Sequence, residues 1–219
     1  MGFLRYLEYF LSRLLSSQRG RDAKLLTRAT IFSNIPQNVL VTSPTLGGSP
    51  AHLSTEHSQF GSSLFPDLSW SLGTTDSSAT KGVVKEWLLI CEDPDAPLPL
   101  VPIHGLYYAI PATKTTVGLE DFAIKLDTSH PAPSDEADSA KWLAGGFRLG
   151  KNWRGTLYSG PRPPVGHGEH RYFFQVVALN DCLDTAKMKP VATRDDVLRE
   201  MQGKICGWGE WIGIFEQKW

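Results

Sequence analysis

Two aspartates, two histidines and a tyrosine carry the chemistry this chain can offer. Asp93 and Asp95 lie in Glu92-Asp93-Pro94-Asp95-Ala96-Pro97, His104 follows, and His170 and Tyr172 stand two positions apart where a loop gives way to an apolar run. Imidazoles can donate to an anion, carry positive charge near neutral pH or move protons, and a nearby carboxylate raises an imidazole's pKa and orients the ring. A phenol and backbone N–H groups add neutral donors. Each residue also has a structural reading. Asp93 and Asp95 can brace the turns around the prolines, and His104 can be a satisfied core histidine. Two His and two Asp meet a metal-ligand count, but no spacing here fixes a metal geometry, so neither a metal nor another cofactor is expected.

The elements that must position these groups are strands. Val83 to Cys91 reads as a largely buried strand that delivers Asp93 and Asp95 to a loop, where two prolines end regular structure. Ile103 to Ile110 alternates so that His104, Leu106, Tyr108 and Ile110 share a face, with His104 near its start. The stretch from Tyr158 to Glu169 is a stiff, bent loop. Pro161, Pro163 and Pro164 fix φ, while Gly160, Gly166 and Gly168 permit φ > 0 and close approach. His170 to Leu179 is a strand of aromatic and β-branched residues, with His170 and Tyr172 on one face roughly 6.5–7 Å apart. Near the end, Thr193 caps a helix whose buried face is Val197, Leu198, Met201 and Ile205, and Cys206 to Phe215 closes the chain as a strand.

These motifs, taken in order, resemble the phosphatidylethanolamine-binding protein (PEBP) family, over about residues 58 to 215. The resemblance rests on Asp93-Pro94-Asp95-Ala96-Pro97 with His104, and on Gly160-Pro161 followed by Pro163-Pro164-Val165-Gly166-His167-Gly168-Glu169-His170-Arg171-Tyr172. Phe65-Pro66-Asp67-Leu68-Ser69-Trp70 and the ending from Gly203-Lys204-Ile205 to Glu210-Trp211-Ile212-Gly213 support it. It implies a mostly β fold with a few helices, a β-sandwich with an anion-binding pocket lined by Asp93, His104, His170 and Tyr172. Pro94, Asp95, Gly160, Pro161, Gly166 and Gly168 are further expected ligand-binding positions. His167 is expected to be exposed and Arg171 to make a structural pair on the opposite strand face. The implied function is binding a small anion: phosphate, carboxylate or phospholipid head group. The alternative is a cofactor-free enzyme or catalytic accessory, with His104, His170, Asp93 and Tyr172 moving protons in cyclisation or dimerisation of a polyketide-derived anhydride or carboxylate. Proteins of this kind resemble products of fungal secondary-metabolite clusters.

Composition narrows the alternatives. Apolar residues make up 41%, too many for a disordered chain, and 22 Lys plus Arg against 23 Asp plus Glu argue against a nucleic-acid binder. Cys91, Cys182 and Cys206 are odd in number and lack Cys-x-x-Cys spacing, which suits buried thiols in a reducing, cytoplasmic setting. No Gly-x-Ser-x-Gly elbow, phosphate-loop lysine motif or dinucleotide fingerprint occurs. Residues 1–20 read as an amphipathic helix, with Phe3, Leu4, Leu7, Phe10, Leu11, Leu14 and Leu15 on one face. It is too short and charged to span a membrane; it is expected to dock on the domain, a protein partner or a second subunit, with weak membrane-surface contact as the alternative. Residues 21–57 read as an extension and linker, 58–219 as the domain, and the acidic stretch 127–141 as a rim loop over the pocket.

Overall fold

In the computed structural model, which describes residues 2–73, 84–124 and 141–219, two open sheets pack face to face. The strands are β1 (Val39–Thr42), β2 (Ala51–His52), β3 (Leu68–Leu72), β4 (Glu86–Glu92), β5 (Ile103–Pro111), β6 (Thr116–Val117), β7 (Arg148–Leu149), β8 (His170–Leu179) and β9 (Ile205–Phe215). The helices are α1 (Gly2–Leu14) and α2 (Arg194–Glu200). The small sheet has the order β1-β3-β6 and the large one β2-β9-β8-β4-β5-β7. Most of the rim-loop stretch 127–141 and of the Ser/Thr-rich connection from Gly73 to Gly82 lies outside the described residues.

The large sheet is buried on both faces, which explains why every residue of β4 is buried although its pattern is not alternating. One face carries Trp87, Leu89, Cys91, Phe174, Val176 and Trp211 against Val39, Val41, Leu68 and Trp70 of the small sheet. A side chain at Gly209 would collide with the Val39 carbonyl, so glycine there lets β1 cross β9 closely. The other face, with Leu88, Ile90, Val177 and Leu179, is covered by Val197 and Met201 around α2 and by Leu26 and Phe32 of the N-terminal segment. Thr193 caps α2 through the amide of Asp196, as its position before two aspartates requires.

That covering role corrects the reading of residues 21–57 as a linker. Leu25, Leu26 and Phe32 are core residues, β1 belongs to the small sheet, and the buried Glu92 carboxylate accepts from the Leu26 amide at 2.7 Å. Gln175 bonds the same carboxylate at 2.8 Å and accepts from the amide and hydroxyl of Thr27. A segment whose buried polar groups are satisfied this way is part of the fold.

The helix α1 forms where the periodicity places it, but its apolar stripe does not face the protein. Phe3, Leu4, Phe10 and Leu14 are 80%, 78%, 65% and 77% exposed. The docked face is the polar one: the Ser12 hydroxyl donates to the Val165 carbonyl at 2.5 Å, and Tyr9 packs over Gly166. No described helix is long and apolar enough to cross a membrane.

Candidate functional site

Where β4 ends, β5 begins and β8 begins, the sheet opens into a cavity of about 170 Å³. Asp93, His104, His170 and Tyr172 line it together, with Pro164, Arg162, Ala96, Leu98, Pro102 and Trp153 completing the wall. Antiparallel pairing brings them together: β4 lies between β5 and β8, so the C-terminal end of β4 meets the N-terminal ends of both neighbours.

Asp93 is an orienting residue. Its Oδ1 accepts from the amides of Asp95 and Ala96 at 2.8 and 3.0 Å, the self-bonding turn expected of Asp before proline, and Oδ2 holds His170 Nδ1 at 2.8 Å. His170 is almost wholly buried, and its other nitrogen, Nε2, lies 2.7 Å from His167 Nδ1. Both ring nitrogens of His170 are therefore engaged by the protein.

His104 is held differently. Nδ1 donates to the Ser159 carbonyl at 2.5 Å, while Ser159 N donates back to the His104 carbonyl at 2.9 Å, tying the glycine-proline loop to the start of β5. Nε2 makes no hydrogen bond to a described residue. Burial, opposed by the nearby Asp93 carboxylate, lowers the His104 pKa, so near pH 7 Nε2 presents a lone pair. The His104 and Tyr172 rings meet edge to face with centroids 5.0 Å apart. Tyr172 Oη is buried and meets no partner among the described residues at full hydrogen-bond geometry, and burial together with the neighbouring Asp93 carboxylate, which lies near the hydroxyl, pushes its pKa well above the ordinary phenol value. It remains a hydroxyl donor. A lone-pair nitrogen and an O–H without a full partner thus face one small cavity, with the exposed Arg162 at its edge.

Six positions expected at the ligand do not line this cavity. Asp95 is taken up by Arg171, whose Nε and amide both donate to Oδ2 at 2.9 Å, and by the Gly20 amide on Oδ1 at 2.8 Å. The Pro94 carbonyl accepts from the Arg21 amide at 3.2 Å. Gly160 and Pro161 are bound by Gln59, which donates from its side chain and amide to their two carbonyls at 2.9 Å. Gly166 and Gly168 do adopt φ of 75° and 93°, but they lie under Tyr9 and Arg19 of the N-terminal segment rather than toward the cavity.

His167 is a further correction: it is 2% exposed, with Nε2 3.1 Å from the Leu15 carbonyl. The same N-terminal segment that covers the glycines buries it. Arg171 makes the structural pair expected of it, with Asp95 and also with Asp22. Sequence reasoning missed Arg162, Leu98, Pro102 and Trp153. Arg162 had a signal, a cation inside the proline run of the loop; Trp153 and Leu98 had none, because their approach is made by separate loops. Among the described residues, no cluster of three or more His, Cys, Asp or Glu forms a metal site.

Known proteins resemble this chain in sequence and in fold. The family profile described as phosphatidylethanolamine-binding protein matches residues 44–216. Over 217 residues, 99% of this chain, the sequence is 41% identical to the phomoidride biosynthesis cluster protein B of Talaromyces stipitatus, covering 83% of that protein. A protein of the same name from a fungal species is 38% identical over the same share of this chain and 97% of its own. Among solved structures, Escherichia coli YbcL, described as a new member of the mammalian PEBP family, superposes with a TM-score of 0.61 at 24% identity, covering 83% of this chain and 99% of its own. The chain belongs to the phosphatidylethanolamine-binding protein family.

Proposed function

We propose that this chain is a cytoplasmic pocket protein that receives a small anionic group, a phosphate, a carboxylate or a phospholipid head group, in the cavity at the ends of β4, β5 and β8. The Tyr172 hydroxyl, which has no well-formed hydrogen bond among the described residues, carries this reading, because a buried donor without a full partner costs about 1–3 kcal/mol unless a ligand completes it. Arg162 supplies positive charge at the rim, and His104 becomes a second donor when an anion favours its protonated form.

A specific observation favours a catalytic use of the same cavity. Near neutral pH, His104 Nε2 is a base and Tyr172 Oη an acid within one small space, while Asp93 and His170 are locked as supports. Near full-length similarity to two proteins named for phomoidride biosynthesis supports a role in fungal secondary metabolism. There the chain acts as a cofactor-free acid-base catalyst or accessory on a polyketide-derived carboxylate or anhydride.

The test is thermal. Inorganic phosphate or succinate at a hundredfold excess over Kd stabilises by about 2.7 kcal/mol, roughly 5–10 °C for a domain of this size. A His104→Ala, Tyr172→Phe double variant should lose that shift; an equal shift in both proteins overturns the assignment. For a carboxylate that the wild type converts, His104→Gln should lower turnover more than affinity if the cavity is catalytic.

A further inference from the structure

The helix α1 is held to the domain from one side only. Tyr6 and Tyr9 pack on the ring of Trp219 with centroids 5.0 and 5.5 Å apart, Arg5 donates to the Lys218 carbonyl at 3.4 Å, and the Val165 amide donates to the Glu8 carboxylate at 3.3 Å. With the Ser12 hydroxyl on the Val165 carbonyl, these contacts fix the rotation of the helix, so that its apolar stripe points away from the protein. Leu4, Leu7, Leu11 and Leu14, with Phe3 and Phe10 beside them, present roughly 700 Å² of apolar surface, above the about 300–600 Å² of the largest patch on a typical monomer.

We propose that this stripe is the seat of a second copy of the chain, and that two α1 helices pair across a two-fold axis.

Three observations favour a copy over other occupants. The four leucines stand at spacings of three, four and three residues, the a and d positions of two heptads, which is the seam along which helices pack on helices. The exposed area is close to the about 800 Å² that each partner of a stable interface buries, and an uncharged stripe is its own complement, as a two-fold interface demands. A membrane-surface helix would instead ring its apolar face with basic side chains. Here Arg5 and Glu8 are engaged by the domain, Arg19 beyond the helix donates to the Glu169 carbonyl, and α1 contains no lysine, which leaves Arg13 as its one basic side chain without a partner among the described residues. Two heptads make a short seam, but the domain already holds α1 in place, so pairing does not have to order it.

Pairing also bears on the cavity. The docked face of α1 carries the loop that follows Pro164, and the Leu15 carbonyl, just past the helix, lies 3.1 Å from His167 Nε2. A second copy that clamps α1 therefore steadies the loop that brings Arg162 and Pro164 to the cavity wall.

Sedimentation velocity on the full chain, from about 1 to about 200 μM, reads the association directly, because a dimer is concentration-dependent. The wild type should pass from 24.2 kDa to twice that mass as concentration rises. Leu7→Glu with Phe10→Glu, and the milder Leu4→Gln with Leu11→Gln, should stay at 24.2 kDa throughout with an unchanged circular-dichroism spectrum. These positions are exposed, so at about 1 μM, where the wild type is also a single chain, all three proteins should unfold alike. Leu100→Ser, which removes an exposed leucine outside α1, should dimerise as the wild type does. A wild type that stays single at every concentration overturns the proposal, including when α1 binds vesicles of phosphatidylcholine and phosphatidylserine. A dimer that survives both stripe variants, or one that Leu100→Ser abolishes as fully as they do, overturns it as well, since another surface then joins the copies.

Discussion

What each imidazole of the site can do depends on the acceptor that holds it. Asp93, His170, His167 and the Leu15 carbonyl form a chain of three contacts at 2.8, 2.7 and 3.1 Å that begins and ends on an acceptor. All three contacts are hydrogen bonds only when the two rings share three protons. With both rings neutral, one contact has no proton, and the longest, to Leu15, is the one most easily given up. His104 stands outside this chain and stays neutral because of burial. Its lowered pKa has a defined sign for stability. Between that value and 6.5 the unfolded chain binds a proton that the folded chain does not, so this contribution is complete above 6.5 and falls as pH drops through it. His104→Gln can still donate to Ser159 but does not titrate. The advantage of wild type over His104→Gln, read as the urea midpoint, should therefore narrow from pH 7.5 to pH 5.5; a constant difference would mean that His104 keeps its ordinary pKa. Asp93, His104, His170 and Tyr172 were legible as a candidate cluster because the two motifs that carry them resemble a known family, and each lies at or beside a strand end. The buried state of His167 was not, because its cover comes from residue 15.

At the scale of elements, α1 shows what periodicity can and cannot tell. Seven apolar residues at helical spacing predict an amphipathic helix; α1 spans Gly2–Leu14 and touches the domain through its other face. Docking is decided by complementarity with the loop after Pro164, where the Val165 carbonyl awaits a donor and Gly166 leaves room for the Tyr9 ring. Two substitutions separate the faces. Leu7→Glu with Phe10→Glu should leave thermal stability within about 0.5 kcal/mol, as for other exposed positions. Ser12→Val, which removes the donor to a buried carbonyl, should cost about 1–3 kcal/mol. If the exposed pair instead destabilises the isolated chain more than Ser12→Val, the helix docks in solution by its apolar stripe.

At the scale of the whole molecule, the N-terminal segment is fastened across the large sheet and shapes the site's surroundings. Arg171, at the second position of β8, joins Asp95 of the loop after β4 to Asp22, and Asp95 is 1% exposed. Both carboxylates raise the Arg171 pKa, so the guanidinium is charged at every accessible pH. Arg171→Ala leaves a buried carboxylate with only its amide donors and should cost about 2–4 kcal/mol, at the low end of a broken buried pair because Arg171 is partly exposed. Chemical denaturation checks the value, and a loss under 0.5 kcal/mol would show that water replaces the guanidinium freely. The sequence by itself determined the sheet-rich fold and the strands that carry Asp93, His104, His170 and Tyr172, because alternation and proline stops are local, while the meeting of those four residues was implied by the resemblance of the two motifs to a family. Tertiary structure alone decided that residues 21–57 supply core side chains, that His167 is buried and that six expected ligand positions do not line the cavity. Those outcomes depend on contacts between segments far apart in the chain, and no local pattern encodes which segment covers which face.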